Sequence, residues 1–144
     1  MTDFVVSAIR SDHILTAFQC GQPELDQWLR SQANRAQNQG VASVRVWSRG
    51  DDKHVIAYSA VMPTLVRKID LTRRQSGGQS SVPGYLIAKL AVDRRSQGQR
   101  LGSRVLLQAL EDIFAASLRA GGRLVVVDPI DAQARSFTHT TGSG

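Results

Sequence analysis

The sequence predicts an α/β domain of the mixed α+β kind, and three observations carry that reading. Tyr85-Leu86-Ile87-Ala88 and Leu90-Ala91-Val92 form an apolar run broken only by Lys89, as in a strand buried on both faces of a sheet. After a polar turn over 93–98, Leu101, Val105, Leu106, Ala109, Leu110 and Ile113 recur at helical spacing. A second apolar run over 123–127 follows Gly121-Gly122, which stops that helix. At 144 residues and 42% hydrophobic content, the chain has the size and composition of one globular domain.

The remaining elements follow in chain order. Residues 4–9 are a short β-type run and predict the first strand. Within 16–29, TAFQCGQPELDQWL, Pro23 suits a first helical turn and Glu24 and Asp26 its positive end, while Leu25, Trp28 and Leu29 give an apolar stripe. That helix, with room for a break, is expected to reach Asn38 and to stop at Gly40. Residues 41–47 predict a strand, 49–52 a hairpin turn and 54–62 the partner strand. Residues 63–83 are basic and rich in Gly and Ser. They are expected to form a mobile connection with one helical turn near Leu65. The central strand then covers 85–92 and its helix continues to Arg119. Asp128-Pro129 ends the last strand, and 130–137 starts another helix.

Composition narrows the function classes. No apolar stretch approaches the length needed to cross a bilayer, and residues 1–12 lack the basic-then-apolar form of a signal peptide. The expectation is a cytoplasmic protein with no membrane partner. The single cysteine, Cys20, has no disulfide partner in the chain and no metal-ligand neighbours, so it is expected to be a small buried residue, with no metal. His54, beside a turn, is expected at the surface. The net charge of +6 is unevenly placed: nine Lys and Arg stand against two Asp between Arg67 and Arg104. Such a region suits a polyanionic cofactor or a nucleic acid, a solvated basic loop being the alternative.

The strand, short basic loop and helix together make one chemical feature. Free main-chain amides and the positive end of a helix converge there, which suits phosphate. A tight turn at Gly98 is the plainer reading. The residues themselves are more specific. Arg95-x-x-Gly98-x-Arg100 resembles the acetyl-CoA loop of the GNAT N-acetyltransferases, Arg/Gln-x-x-Gly-x-Gly/Ala, and departs from it at Arg100. Phe18-Gln-Cys20-Gly21-Gln-Pro23-Glu24-Leu25-Asp26-Gln-Trp28-Leu29 resembles the opening signature of one branch, the TacT-like acetyltransferase toxins of bacterial toxin–antitoxin modules. Leu90-Ala91-Val92-Asp93-Arg94-Arg95 and Val125-Val126-Val127-Asp128 extend the similarity over most of the chain.

The resemblance implies a GNAT fold: a central mixed, mostly antiparallel sheet, splayed in the middle and flanked by helices, with acetyl-CoA in the gap. It places the pyrophosphate on main-chain amides of Gln97, Gly98, Gln99, Arg100, Leu101, Gly102 and Ser103, with Arg95 alongside. Main-chain groups of Leu90, Ala91 and Val92 would align the pantetheine arm and polarise the thioester carbonyl. Toxins of this type acetylate the α-amine of an aminoacyl-tRNA, pair with a ribbon-helix-helix antitoxin and are commonly homodimers. Those partners are therefore expected.

The resemblance breaks after Phe137. The family motif there is Phe-Tyr-x-x-x-Gly-Phe, whose tyrosine hydroxyl protonates the departing thiolate, and Thr138 stands in the tyrosine's place. A threonine hydroxyl is a much weaker acid. One thymine inserted after the Phe137 codon forces a tyrosine codon next and permits Gly and Phe in register further on. A C-terminally truncated or frameshifted chain, without the family's final strands, is the expectation; ordinary divergence of the tail is the alternative. Three functions compete on sequence: an N-acetyltransferase toxin, an inactive remnant that keeps antitoxin or acetyl-CoA binding, and a basic nucleic-acid-binding domain without a cofactor.

Overall fold

The computed structural model describes residues 3–67, 81–120 and 124–127. Its elements in order are β1 (Phe4–Ala8), α1 (Pro23–Ser31), α2 (Ala33–Asn38), β2 (Ser43–Arg49), β3 (Ala57–Arg67), β4 (Ser81–Val92), a 3₁₀ turn (Arg94–Ser96), α3 (Leu101–Ala120) and β5 (Leu124–Val127). The strands form one sheet in sequence order. Pairings from β1 to β4 are antiparallel and β5 joins β4 in parallel. A parallel neighbour needs a long crossover, and α3 supplies it.

Alternation along the strands divides the core between two faces. Val44, Val46, Tyr58, Ala60 and Ala91 meet Phe18, Leu25, Leu29 and Ala33 on the side of α1 and α2. Trp47, Ala57, Ile87, Leu90 and Val92 meet Leu101, Val105, Leu106, Ala109 and Ile113 of α3 on the other. The apolar run of β4 is thus explained: its side chains are buried on both faces. Pro23 and the acidic residues Glu24 and Asp26 start α1 as expected. Its first turn is tied into the sheet by the Tyr58 hydroxyl, which donates to the Leu25 carbonyl at 2.8 Å. A break at Gln32 separates α1 from α2, and Gly40 takes a φ of +71° just beyond.

Three expectations are corrected. The second strand begins at Ser43 rather than 41, because the amides of Val41 and Ala42 both turn back to the Ala36 carbonyl at the end of α2. The third begins at Ala57 rather than 54. His54 instead makes an isolated bridge with Ile14. The third difference is the largest: no helical turn forms near Leu65, and residues 63–67 and 81–83 are strand. Pro63 is tolerated because β2 pairs with β3 only as far as Ser43 opposite Val61. Beyond that point one edge of β3 has no β2 residue to bond, so a missing N–H costs no ladder bond there. The stop at Gly121-Gly122, the Asp128-Pro129 strand end, the helix over 130–137 and Thr138 lie outside the described residues.

Candidate active site

The loop after β4 is built around one carboxylate. Asp93 is 1% exposed and accepts four hydrogen bonds: from the Gln19 amide at 3.0 Å, the Arg95 amide and Nε at 3.0 Å each, and Arg95 Nη2 at 3.4 Å. Its own carbonyl takes the Ser96 amide at 2.9 Å. Burial pushes the Asp93 carboxyl up, but the hydrogen bonds from Arg95 and from the Gln19 and Arg95 amides outweigh it and hold the pKa below the ordinary aspartate value. The residue therefore sits ionised in a buried corner.

Asp93 and its neighbours lock the loop to the segment before α1. The Arg94 amide donates to the Gln19 carbonyl at 2.7 Å. The Gln97 side chain donates from Nε2 to the Cys20 carbonyl at 3.0 Å and to the Val92 carbonyl at 2.9 Å. Asp26 accepts the Cys20 amide at 2.9 Å from the first turns of α1. The two stretches that carry the sequence resemblance, 18–29 and 90–98, are thus physically joined. Cys20 is buried, as expected for a small packing residue.

Past Gln97 the pattern changes. The Gln97 amide closes the 3₁₀ turn onto the Arg94 carbonyl at 3.4 Å, and the next backbone bond is from the Arg104 amide to Arg100 at 3.3 Å. Among the described residues, the amides of Gly98, Gln99, Arg100, Leu101, Gly102 and Ser103 donate to no acceptor. Gly98 has a φ of +85° and Arg100 of +60°, so the chain curls left-handed into the start of α3. A Cβ built on Gly98 would meet nothing within 4 Å, so the space over the loop is open. Leu101 and Gly102 are themselves buried, which leaves their amides little water to bond. Six unspent donors at the positive end of a 20-residue helix fit a pyrophosphate.

β4 supplies the other half. The Asp93 amide bonds the Ile56 carbonyl beside β3 at 2.7 Å, so Val92 and Leu90, one and three positions back, turn their main-chain groups to the opposite edge. On that edge β5 pairs only with Gly84–Ile87, and no described strand lies opposite Leu90, Ala91 or Val92. A register shift between Ala60 and Val61 leaves Ala88 without a partner, bending β4 just where the pairing stops. The Val92 carbonyl is taken by Gln97, which leaves the Val92 N–H facing the gap. The splayed sheet of the expectation is present, with a donor and the Leu90 main chain lining it.

No protein-family model matches the chain. It is 33% identical over 124 residues to a tRNA-acetylating toxin of Mycobacterium tuberculosis (strain ATCC 25618 / H37Rv), a match covering 85% of this chain and 74% of that protein. It belongs to the TacT-like GNAT toxins. A probable toxin TacT of Sinorhizobium fredii is 27% identical over 119 residues, which take in 81% of this chain and 66% of that protein, just under two thirds of its length. The TacT-like fold is shared with solved structures. AtaT complexed with acetyl-methionyl-tRNAfMet superposes with a TM-score of 0.87 at 20% identity, covering 97% of this chain and 86% of that one. A variant AtaT toxin bound to the C-terminus of the antitoxin AtaR and acetyl-CoA gives 0.81 at 20% identity, over 97% and 83%.

Within this TacT-like chain, the expected site residues divide into two groups. Gly98, Gln99, Arg100, Leu101, Gly102 and Ser103 come together as the open amide row, with Leu90 and Val92 on the gap. Arg95 and Gln97 instead spend their polar groups inside the protein, Arg95 on Asp93 and the Ala17 carbonyl and Gln97 on Cys20 and Val92. They position the loop. Asp93, which sequence reading left as part of a polar turn, is the central acceptor, and its partner Gln19 lies 74 positions away. His54 is exposed, with Nδ1 2.7 Å from Asp52 Oδ1. Among the described residues no helix is long and apolar enough to cross a membrane, and no group of three His, Cys, Asp or Glu is placed to hold a metal.

Proposed function

We propose that this chain transfers an acetyl group from acetyl-CoA to the α-amine of an aminoacyl-tRNA, as the toxin of a toxin–antitoxin pair. The open amide row from Gly98 to Ser103 carries the reading. It offers the pyrophosphate six donors fixed before the ligand arrives, which avoids the cost of ordering them on binding. When bound, acetyl-CoA supplies the activated acyl group. The Val92 N–H, in a gap on the edge of β4, would donate a hydrogen bond to the thioester oxygen as negative charge develops on it. An α-amine titrates near ~8, so much of it is neutral at pH 7 and needs positioning more than a strong base. Exposed Arg94, Arg100 and Arg104 around the site give the charge that a tRNA backbone requires.

The partner reading follows from the same likeness: a ribbon-helix-helix antitoxin that masks the site, and a homodimer as the working unit. The test is direct. The purified chain is titrated calorimetrically with acetyl-CoA, then incubated with radiolabelled acetyl-CoA and charged tRNA. Binding with label on the aminoacyl group is the expected result. Binding without transfer would favour the inactive remnant, which keeps the amide row as the acetyl-CoA seat. Absence of binding would remove both.

A further inference from the structure

Lys89 is the single charge in the apolar run of β4, and it is half-buried. It lies opposite Ala60 in the β3 register, so its side chain shares the face of Ala60, Tyr58 and Ala91, on the side of α1. Its Nζ stands 5.8 Å from the centre of the Trp28 ring, which stacks on Tyr58 at 6.0 Å with 9° between the planes. The Tyr58 hydroxyl is bonded to the Leu25 carbonyl, so the platform under the ammonium is fixed. Among the described residues Lys89 makes no ion pair and donates no hydrogen bond. Its neighbours do not neutralise it. β3 carries no charge from Ala57 to Thr64, and β5 carries none. On α1, Asp26 is spent on the Cys20 amide and Arg30 on the Phe18 carbonyl. Glu24, one turn before Trp28, is exposed and forms no ion pair. A cation drawn from water and given only a ring face is oriented but keeps its full charge.

Lys89 directly precedes Leu90, whose main chain lines the gap at the edge of β4. On one side that gap is closed: Leu90 and Val92 are 1% and 2% exposed beneath α3, which crosses over the two strands it joins. An acceptor therefore meets a thioester on this edge from the opposite face, the face of Lys89. We propose that Lys89 selects the neutral form of the acceptor amine, its ammonium repelling a protonated amine at the edge of β4 and admitting the uncharged nucleophile. The proposal rests on the gap being the site of acetyl transfer. In that step the amine lone pair attacks the thioester carbon and a C–N bond forms as the C–S bond breaks. Coenzyme A leaves as thiolate, and the amine's proton passes to water. Only the neutral amine has a free lone pair, so a like charge beside it raises the reactive fraction near neutral pH.

The experiment follows single-turnover transfer from radiolabelled acetyl-CoA to unfractionated charged tRNA, with the full chain in excess, as a function of pH. Wild type is expected to show an acid limb below the ordinary amine value of ~8. Lys89→Met keeps the stem on Trp28 and removes the charge. Its limb should move up by about half a unit or more, a threefold or greater loss at acid pH, with the rates converging above about pH 8.5. Lys89→Arg should retain the wild-type limb. A second readout needs no turnover. Charged tRNA is titrated calorimetrically into the chain loaded with a non-transferable thioether analogue of acetyl-CoA, in buffers of different ionisation heat, which counts the protons released on binding. Wild type should release more than Lys89→Met, and would do so even if transfer itself were absent. Equal proton release by the two overturns the proposal. An equal loss of rate at every pH, with the limb unmoved, gives Lys89 a packing role and overturns it too. If Lys89→Met weakens uncharged tRNA in filter binding and leaves the limb in place, the cation serves backbone phosphate and the proposal is wrong. Failure of wild type to bind acetyl-CoA removes the site of transfer, and the selector with it.

Discussion

Residues 93–97 and 98–103 are neighbours on one loop and opposites in chemistry. In the first stretch the polar groups are largely spent within the protein: the Asp93 carboxylate has four donors, and Gln97 Nε2 bridges two carbonyls. In the second, six consecutive amides have no described acceptor. The difference teaches why each half is needed. Unsatisfied donors stay fixed in place only if something adjacent is over-determined, and here the saturated half takes that role. The family's loop pattern runs from Arg95 to Arg100 and so straddles both halves. The first half is what keeps the second in shape.

The largest effect should come from removing the hub. Asp93→Ala leaves the Gln19 and Arg95 amides without their acceptor in a buried corner, and should cost about 3 kcal/mol in a denaturant titration. Acetyl-CoA binding should fall with it, although Asp93 faces no ligand. A loss of stability with unchanged affinity would break the link between the two halves. The same residue gives a pH signature. Its folded pKa lies below the unfolded value, so its contribution is fully present above about pH 4 and is lost as the pH falls through the folded value. Asp93→Asn should flatten that acid limb of the stability curve.

A smaller effect is expected at Gln97. Its side chain bridges two carbonyls, so Gln97→Ala should cost about 1–2 kcal/mol. It should also free the Val92 carbonyl, and hydrogen exchange should quicken at residues 19–20 and 92–97 together. Exchange confined to one of those segments would show that the bridge is not the tie. The smallest change runs the other way. Arg100 holds a φ of +60°, where a side chain is strained and glycine is not. Arg100→Gly should stabilise by about 0.5–1 kcal/mol, read as a raised Tm, and leave the amide row in place.

Particular residues show how far the sequence could be read. The spacing of Leu101, Val105, Leu106, Ala109 and Ile113 places α3 because burial on one face imposes that period. The run 85–92 places β4 for the matching reason. Pro63 misleads, since a proline reads as an interruption until β2 is seen to end short of it. Asp93 was hidden differently. A carboxylate after an apolar run looks like the start of a turn, and the amide that makes it a hub comes from Gln19. The stacking of Arg49 and Arg104 on Phe4 was equally invisible, because it joins β1, β2 and α3 through the tertiary fold alone. Local periodicity is written along the chain; long-range hydrogen bonds and ring contacts are not.

The junction between residues 19–20 and 92–97 has a thermodynamic corollary. The proposed phosphate seat can exist only in a chain whose N-terminal quarter has already docked, so ligand and fold must report on each other. Coenzyme at a hundred times its Kd adds about 2.7 kcal/mol to the whole cooperative unit. Protease cleavage in α1 should therefore slow as the coenzyme is titrated in, turning the opening segment into a gauge of occupancy at the loop it is bonded to.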